Sequence, residues 1–224
     1  MGADHAAVFD AACNSWLHFV PGERCAYNTI SFTVLGELIS RVSGLPYPEY
    51  LQRHVFGPLG MTSTAFAPLD PSRTMPVHSV DFEGGISAML KMALPGGGLL
   101  STADDLVAFG RAILRGGTSN GYRLLGRPAV ETMTRLQTLG LYKLEEGVRS
   151  PFDYGLGWAK PSPTSEQGGM GSVNSFGHGG ATGTYLWIDP EWDLVFVLMT
   201  NNWADGDDGH RVLNAVYGSL DNEA

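Results

Sequence analysis

The stretch FGHGGATGTYLWIDP, Phe176 to Pro190, sets one histidine against a pair of glycines and then runs into apolar residues. An imidazole moves or donates protons near neutral pH, and glycines let a bound chain lie close against the backbone. His178 with Gly179 and Gly180 therefore has the composition of a binding edge, although taken alone it also reads as an ordinary strand-edge histidine. Tyr27, in CAYNTI, puts a phenol just ahead of a helical pattern, and Thr29 adds a hydroxyl two residues on. A phenol shuttles protons at working pH only where a neighbouring cation favours its ionised form.

Other candidates are weaker. GTSNG, Gly117 to Gly121, matches the G-x-S-x-G nucleophile elbow, but that elbow needs a strand before the serine and a helix after it. Here a helix is expected to end near Arg115 with a loop following, which argues against Ser119. DGDDGH, Asp205 to His210, lacks the spacing of a calcium loop and reads as the acidic first turn of a closing helix. Cys13 and Cys25 form neither a disulfide framework nor a metal-site spacing. With 23 acidic against 14 basic residues and a net charge of −9, nucleic acid and anionic membrane surfaces are poor partners. The opening MGADHAAVFDAACNSWLHF has no basic leader and no long apolar core, so neither a signal peptide nor a membrane span is expected, and the chain as written reads as cytoplasmic.

The elements that must position these residues follow from periodicity. In 224 residues with 43% hydrophobic content there is enough apolar side chain for a sizeable core. NTISFTVLGELISRVSG predicts a helix with Phe32, Leu35, Ile39 and Val42 on one face and Gly44 as its stop. A second helix is expected from about Tyr47 to Val55, then a Pro- and Gly-rich loop, then an irregular connection over about 67–94. Ser101 with Asp104 predicts a cap for a helix from Ala103 to about Arg115, with Leu106, Phe109 and Ile113 inward. GRPAVETMTRL predicts another, with Pro128 in its first turn.

From about Tyr154 the pattern changes to strand-like runs separated by turn residues. DLVFVLMTN is apolar on both alternations, as expected of a central strand, and Pro190, Glu191 and Trp192 are expected to turn the hairpin before it. GHRVLNAVYGSL predicts a closing helix on the sheet. Trp158 and Trp187 read either as cleft walls or as core. The fold class is α+β, helices first and an antiparallel sheet with a helix last.

Several phrases taken together are more specific than any one residue. FVPGERCAYNTISFTVLGELISRVSGLPYPEYLQRHVFGPLGMTSTAF, GGGLLSTADDLVAFGRAIL, YGLGW and FGHGGATGTYLWIDPEWDLVFVLMTN occur in the order and spacing of the serine β-lactamase and penicillin-binding-protein-like superfamily. The chain resembles that superfamily from Phe19 onward, most closely class C β-lactamases, DD-carboxypeptidases and family VIII esterases. The resemblance implies a serine hydrolase that passes through an acyl-enzyme, acting on an ester, amide or β-lactam bond, with no metal or organic cofactor. Tyr27 falls on the tyrosine of the family's Tyr-Ser-Asn motif and would move protons to and from the serine and leaving group. Thr29 stands where the family has asparagine and keeps a hydroxyl donor. His178, Gly179 and Gly180 fall on the Lys-Thr-Gly element, and the Ala181 N–H would be one oxyanion donor.

The family's first motif, Ser-x-x-Lys, is absent: no serine here has a lysine three residues on, and Ser87 to Lys91 has the wrong spacing. In family order that motif precedes Tyr27 by more than the residues available. The chain is thus expected to be a partial domain over 1–224, about 19–150 mainly helical and about 151–224 sheet with a C-terminal helix. Its expected partners are a small acyl, ester or peptide-like substrate, together with a second copy of itself or a chain supplying the missing part. The competing expectation is an inactive remnant that only binds such a ligand.

Overall fold

The computed structural model describes residues 5–78, 93–145, 147–161, 169–202 and 208–220. Ser87, Lys91 and Asp205 to Asp207 lie outside them.

Helix α1 (His5–Cys13) packs against α2 (Thr29–Ser43), with the Arg41 guanidinium 4.2 Å from the Phe9 ring centroid. The Asn28 side chain caps α2 by accepting from the Ile30 N–H at 2.7 Å, and Gly44 ends it at φ +71°, a left-handed geometry that glycine adopts at no steric cost. The buried face of α2 differs from the sequence expectation. Thr33 and Gly36 are buried, whereas Leu35 and Val42 are exposed. A Cβ on Gly36 would stand 2.3 Å from Pro95 Cγ, so it is small residues that admit the neighbouring loop. Leu35, Leu38 and Val42 stay exposed, whereas Phe32 and Ile39 are partly buried.

Helix α3 (Tyr47–Leu51) continues through a π turn at Gln52–Phe56 into the short α4 (Gly57–Leu59), and Gly60 at φ +72° stops it. Phe56, Leu59 and Met61 there pack with Ala112 of α5 (Ala103–Leu114). The cap of α5 is Thr102, one residue beyond the expected Ser101: Thr102 Oγ1 accepts from the Asp105 N–H at 3.3 Å. Ser101 is otherwise engaged, its hydroxyl 2.8 Å from that of Thr64, which donates at 2.7 Å to the buried Asp105 carboxylate. Strands β1 (Thr118–Ser119) and β2 (Tyr122–Arg123) form a tight hairpin around Asn120 and Gly121, both at positive φ, as a two-residue turn requires. Helix α6 (Arg127–Thr134) follows, then a second hairpin of β3 (Tyr142–Glu145) and β4 (Val148–Pro151). Neither hairpin is expected from the sequence pattern.

The main sheet is antiparallel in the order β5 (Phe176–Gly179), β6 (Tyr185–Asp189), β7 (Leu194–Leu198). Among the described residues β6, not the more apolar β7, is the inner strand. The apolar character of β7 comes instead from cover on both faces. Val195 packs toward α5, where a Cβ on Gly110 would stand 2.5 Å from Val195 Cγ1, while Phe196 packs with Leu213 and Tyr217 of α7 (Asp208–Tyr217). Trp187 and Ile188, adjacent on β6, are completely buried on opposite faces of the sheet. Mixed helices with small antiparallel sheets make the fold α+β. Among the described residues no helix is long and apolar enough to cross a membrane.

Candidate functional site

Tyr27 sits on a short tether. Two residues before it, the Cys25 N–H donates to Tyr142 O at 2.8 Å, joining this segment to β3; one residue after it comes the Asn28 cap of α2. Tyr27 is 57% exposed, so it does not fill the core.

His178 arrives from far along the chain. It is the third residue of β5 and pairs with Leu186, on the same face as Phe176. Its ring centroid lies 6.0 Å from that of Tyr27 and 5.9 Å from that of Tyr154, the latter edge-on. The His178 Nδ1 is 2.5 Å from its neighbour's carbonyl, Gly179 O. A carbonyl only accepts, so Nδ1 carries the hydrogen. The neutral ring then presents the Nε2 lone pair outward, and the cationic ring presents an N–H.

Beyond β5 the chain turns tightly. The Gly183 N–H donates to Gly180 O at 2.9 Å and the Gly180 N–H to Thr184 O at 2.7 Å. A Cβ on Gly180 would stand 2.2 Å from Thr184 Oγ1, which explains glycine there, while a Cβ on Gly179 would meet Tyr185 at an ordinary 3.4 Å. Ala181 lies exposed in this turn, and among the described residues nothing accepts its N–H. Thr29 is the first residue of α2, with its methyl against Gly96. Tyr27 and His178 are thus brought together, with Thr29 beside Tyr27 in the chain and Gly179, Gly180 and Ala181 directly beyond His178.

Tyr154 is the residue missed by reasoning from sequence. It stacks on Phe152 with centroids 4.4 Å apart, and its backbone is held by Gln137 N–H donating to its carbonyl at 2.8 Å and by its own N–H donating to Thr138 Oγ1 at 2.9 Å. In the sequence Tyr154 lies in FDYGLGW, two residues after Phe152. Trp158 and Trp187 are both core: Trp158 meets the Phe176 ring edge-on at 5.1 Å, and Trp187 lies under α7. Neither walls a cleft. Ser119, paired with Tyr122 across a two-residue turn, has no helix after it and is no elbow. Among the described residues no three His, Cys, Asp or Glu side chains converge as a metal site would need.

Comparison with known proteins gives consistent results. The model of the family described as Beta-lactamase matches residues 1–217. Protein Rv1367c of Mycobacterium tuberculosis is 30% identical over 204 residues, covering 83% of this chain and 50% of that protein. A beta-lactamase from Mycobacterium bovis superposes with a TM-score of 0.65 at 28% identity, covering 89% of this chain and 64% of its own. A penicillin-binding protein homologue from Caulobacter crescentus superposes with a TM-score of 0.76 at 20% identity, covering 98% of this chain and 67% of its own, a likeness of fold. The chain spans about half the length of the curated relatives it matches.

Proposed function

From the premise that the chain belongs to the beta-lactamase family and carries its hydrolase fold, we propose that it forms the C-terminal part of an acyl-transfer serine hydrolase. The scissile bond is an ester, amide or β-lactam bond. A serine, with its lysine base, comes from sequence outside these 224 residues and attacks the substrate carbonyl to form a tetrahedral intermediate. Tyr27 relays the proton between the serine hydroxyl and the leaving group. The Ala181 N–H donates to the developing oxyanion, an interaction worth about 3–4 kcal/mol in the transition state. His178 in its cationic form donates from Nε2 to the substrate, Thr29 offers a hydroxyl to the substrate's far side, and Gly179 and Gly180 leave room for the acyl chain. Collapse of the intermediate expels the leaving group; water then attacks the acyl-serine and releases the acid. The observation that carries this reading is the 6.0 Å approach of the Tyr27 and His178 rings from opposite ends of the chain.

The test is to treat the 224-residue chain, and the chain joined to a preceding Ser-x-x-Lys segment, with a chromogenic β-lactam, a short-chain p-nitrophenyl ester and a fluorophosphonate. Turnover and a covalent adduct by intact mass are expected only in the joined form, with turnover lost in Tyr27→Phe. Turnover that survives both Tyr27→Phe and His178→Ala refutes the proposal. The absence of any Ser-x-x-Lys within the chain favours a second reading, a ligand-binding remnant. Saturable binding of a peptide-like ligand with no adduct in either form would select it.

A further inference from the structure

Lys160 is 7% exposed, a burial an ammonium tolerates only when its donors are satisfied and a counter-charge is near. Its Nζ donates to the carbonyls of Asn174 at 3.1 Å and Ser175 at 2.7 Å, and stands 5.5 Å from the Phe176 ring centroid. The charge that offsets it is Asp189, completely buried at the end of β6. The Asp189 carboxylate accepts from the Ser172 N–H at 2.8 Å, the Ser172 hydroxyl at 2.6 Å, the Glu191 N–H at 3.0 Å and the Tyr217 hydroxyl at 2.7 Å.

The two charges make no direct ion pair; they meet through residues 172–175. Asp189 grips this segment at Ser172 and Lys160 grips it at Asn174 and Ser175. The segment is closed on itself, since both the N–H and the hydroxyl of Ser175 donate to Ser172 O, at 3.1 and 2.7 Å. It leads directly into β5. One residue before Lys160, Ala159 exchanges both backbone hydrogen bonds with Gly177, at 2.8 and 3.1 Å. The entrance to β5 is therefore held at its side, at its turn and from beneath. An apolar side chain of equal volume would fill the space without aiming two carbonyls at one point.

We propose that Lys160 and Asp189 form a buried clamp on residues 172–175 that fixes where β5 begins and so places the His178 ring against Tyr27. Lys160 is in this sense a positioning residue. That His178 serves acyl transfer rests on the proposed function; the clamp itself does not. Burial pushes the Lys160 ammonium down to about 8, with Asp189 pulling it back up, as expected of a desolvated group held by a distant counter-charge.

The test uses no substrate, so its failure is distinct from failure of the hydrolase reading. Amide exchange and histidine ring resonances are followed by NMR in the full chain and in Lys160→Met. Protection at Gly177 and His178 is expected to fall about tenfold or more, while α5 and β7 stay within about twofold. The His178 ring resonances shift at the same time, because the Tyr27 and Tyr154 rings no longer lie at fixed distances. If Lys160→Met does not fold, Ser172→Ala decides: it removes one hydroxyl from the turn, and the same residues should respond by a smaller amount. Unchanged His178 resonances and β5 exchange in a folded variant, or an even loss of protection throughout the chain, would overturn the clamp.

Discussion

The sheet end and the α1–α2 end of the molecule treat apolar residues in opposite ways. In the sheet, Trp187 and Ile188 are covered on their separate faces by α7 and α5, whereas α2 leaves Leu35 and Leu38 half exposed and Val42 81% exposed. Trp16, Leu17 and Val20, between α1 and α2, are exposed as well. Periodicity tells which residues share a face; it says nothing of what lies against that face. Where helix and strand both belong to the described chain, the apolar face and the buried face coincide. On α2 they do not: Pro95 and Tyr47 lie against the small-residue side around Gly36, and α1 leaves Leu35, Leu38 and Val42 exposed.

The strongest way to break this contrast is in the sheet. Trp187→Ala should cost about 3–5 kcal/mol and unfold much of the chain, read as a lower denaturant midpoint in chemical unfolding. A midpoint within error of the parent would mean that this core is not the stabilising one.

The next effect is one of pH. Lys160 holds its proton only to about 8 in the folded chain, against 10.5 when unfolded, so between these values the unfolded state binds more protons and stability rises with pH. Tyr217 works the other way at the top of that window. Its hydroxyl, buried and bonded to Asp189, is held above its ordinary pKa, so stability is lost once the unfolded tyrosine ionises near 10. The melting temperature should therefore climb from pH 8 to 10 in the parent and stay flatter in Lys160→Met. Equal slopes in the two would show that Lys160 is charged and solvated throughout.

Smaller again is Thr102→Ala, which should cost about 1 kcal/mol by removing the cap of α5, whereas Ser101→Ala should loosen the Thr64 contact and leave the helix start intact. Comparing the two by thermal unfolding separates the expected cap from the observed one. Smallest for stability is replacing Leu35, Leu38 and Val42 by serine, about 0.5 kcal/mol or less apiece at exposed sites. The readout there is association. Sedimentation should show less self-association in the triple variant, and unchanged association would mean that this face does not drive it.

Most of the helices were legible because glycines punctuate them and one apolar period runs through each, whereas the switch to strands expected near Tyr154 is preceded by β1 to β4, and the next strand is β5. The β1–β2 hairpin was signalled by Asn120-Gly121 but had only two residues on each side, too few to show alternation. In the β3–β4 hairpin, YKLE alternates Tyr142 and Leu144 with charged residues over only four positions and VRSP does not alternate, too short a signal to mark a strand pair. Among site positions, Tyr27 and His178 could be singled out only as parts of longer matching phrases. Their approach to one another is long-range and leaves no local trace. Tyr154 left a weaker one, an aromatic two residues from another, and the two rings stack.

The anchoring of Tyr27 also sets how fast its ring can reorient. With Cys25 bonded to β3 and Asn28 committed to the cap, the backbone on both sides is held, and rotation about the side-chain bonds is the freedom that remains. Such rotations take picoseconds to nanoseconds, where moving a loop takes up to microseconds. A phenol on so short a leash samples its orientations toward His178 on that faster timescale. At this position, speed comes from restraint.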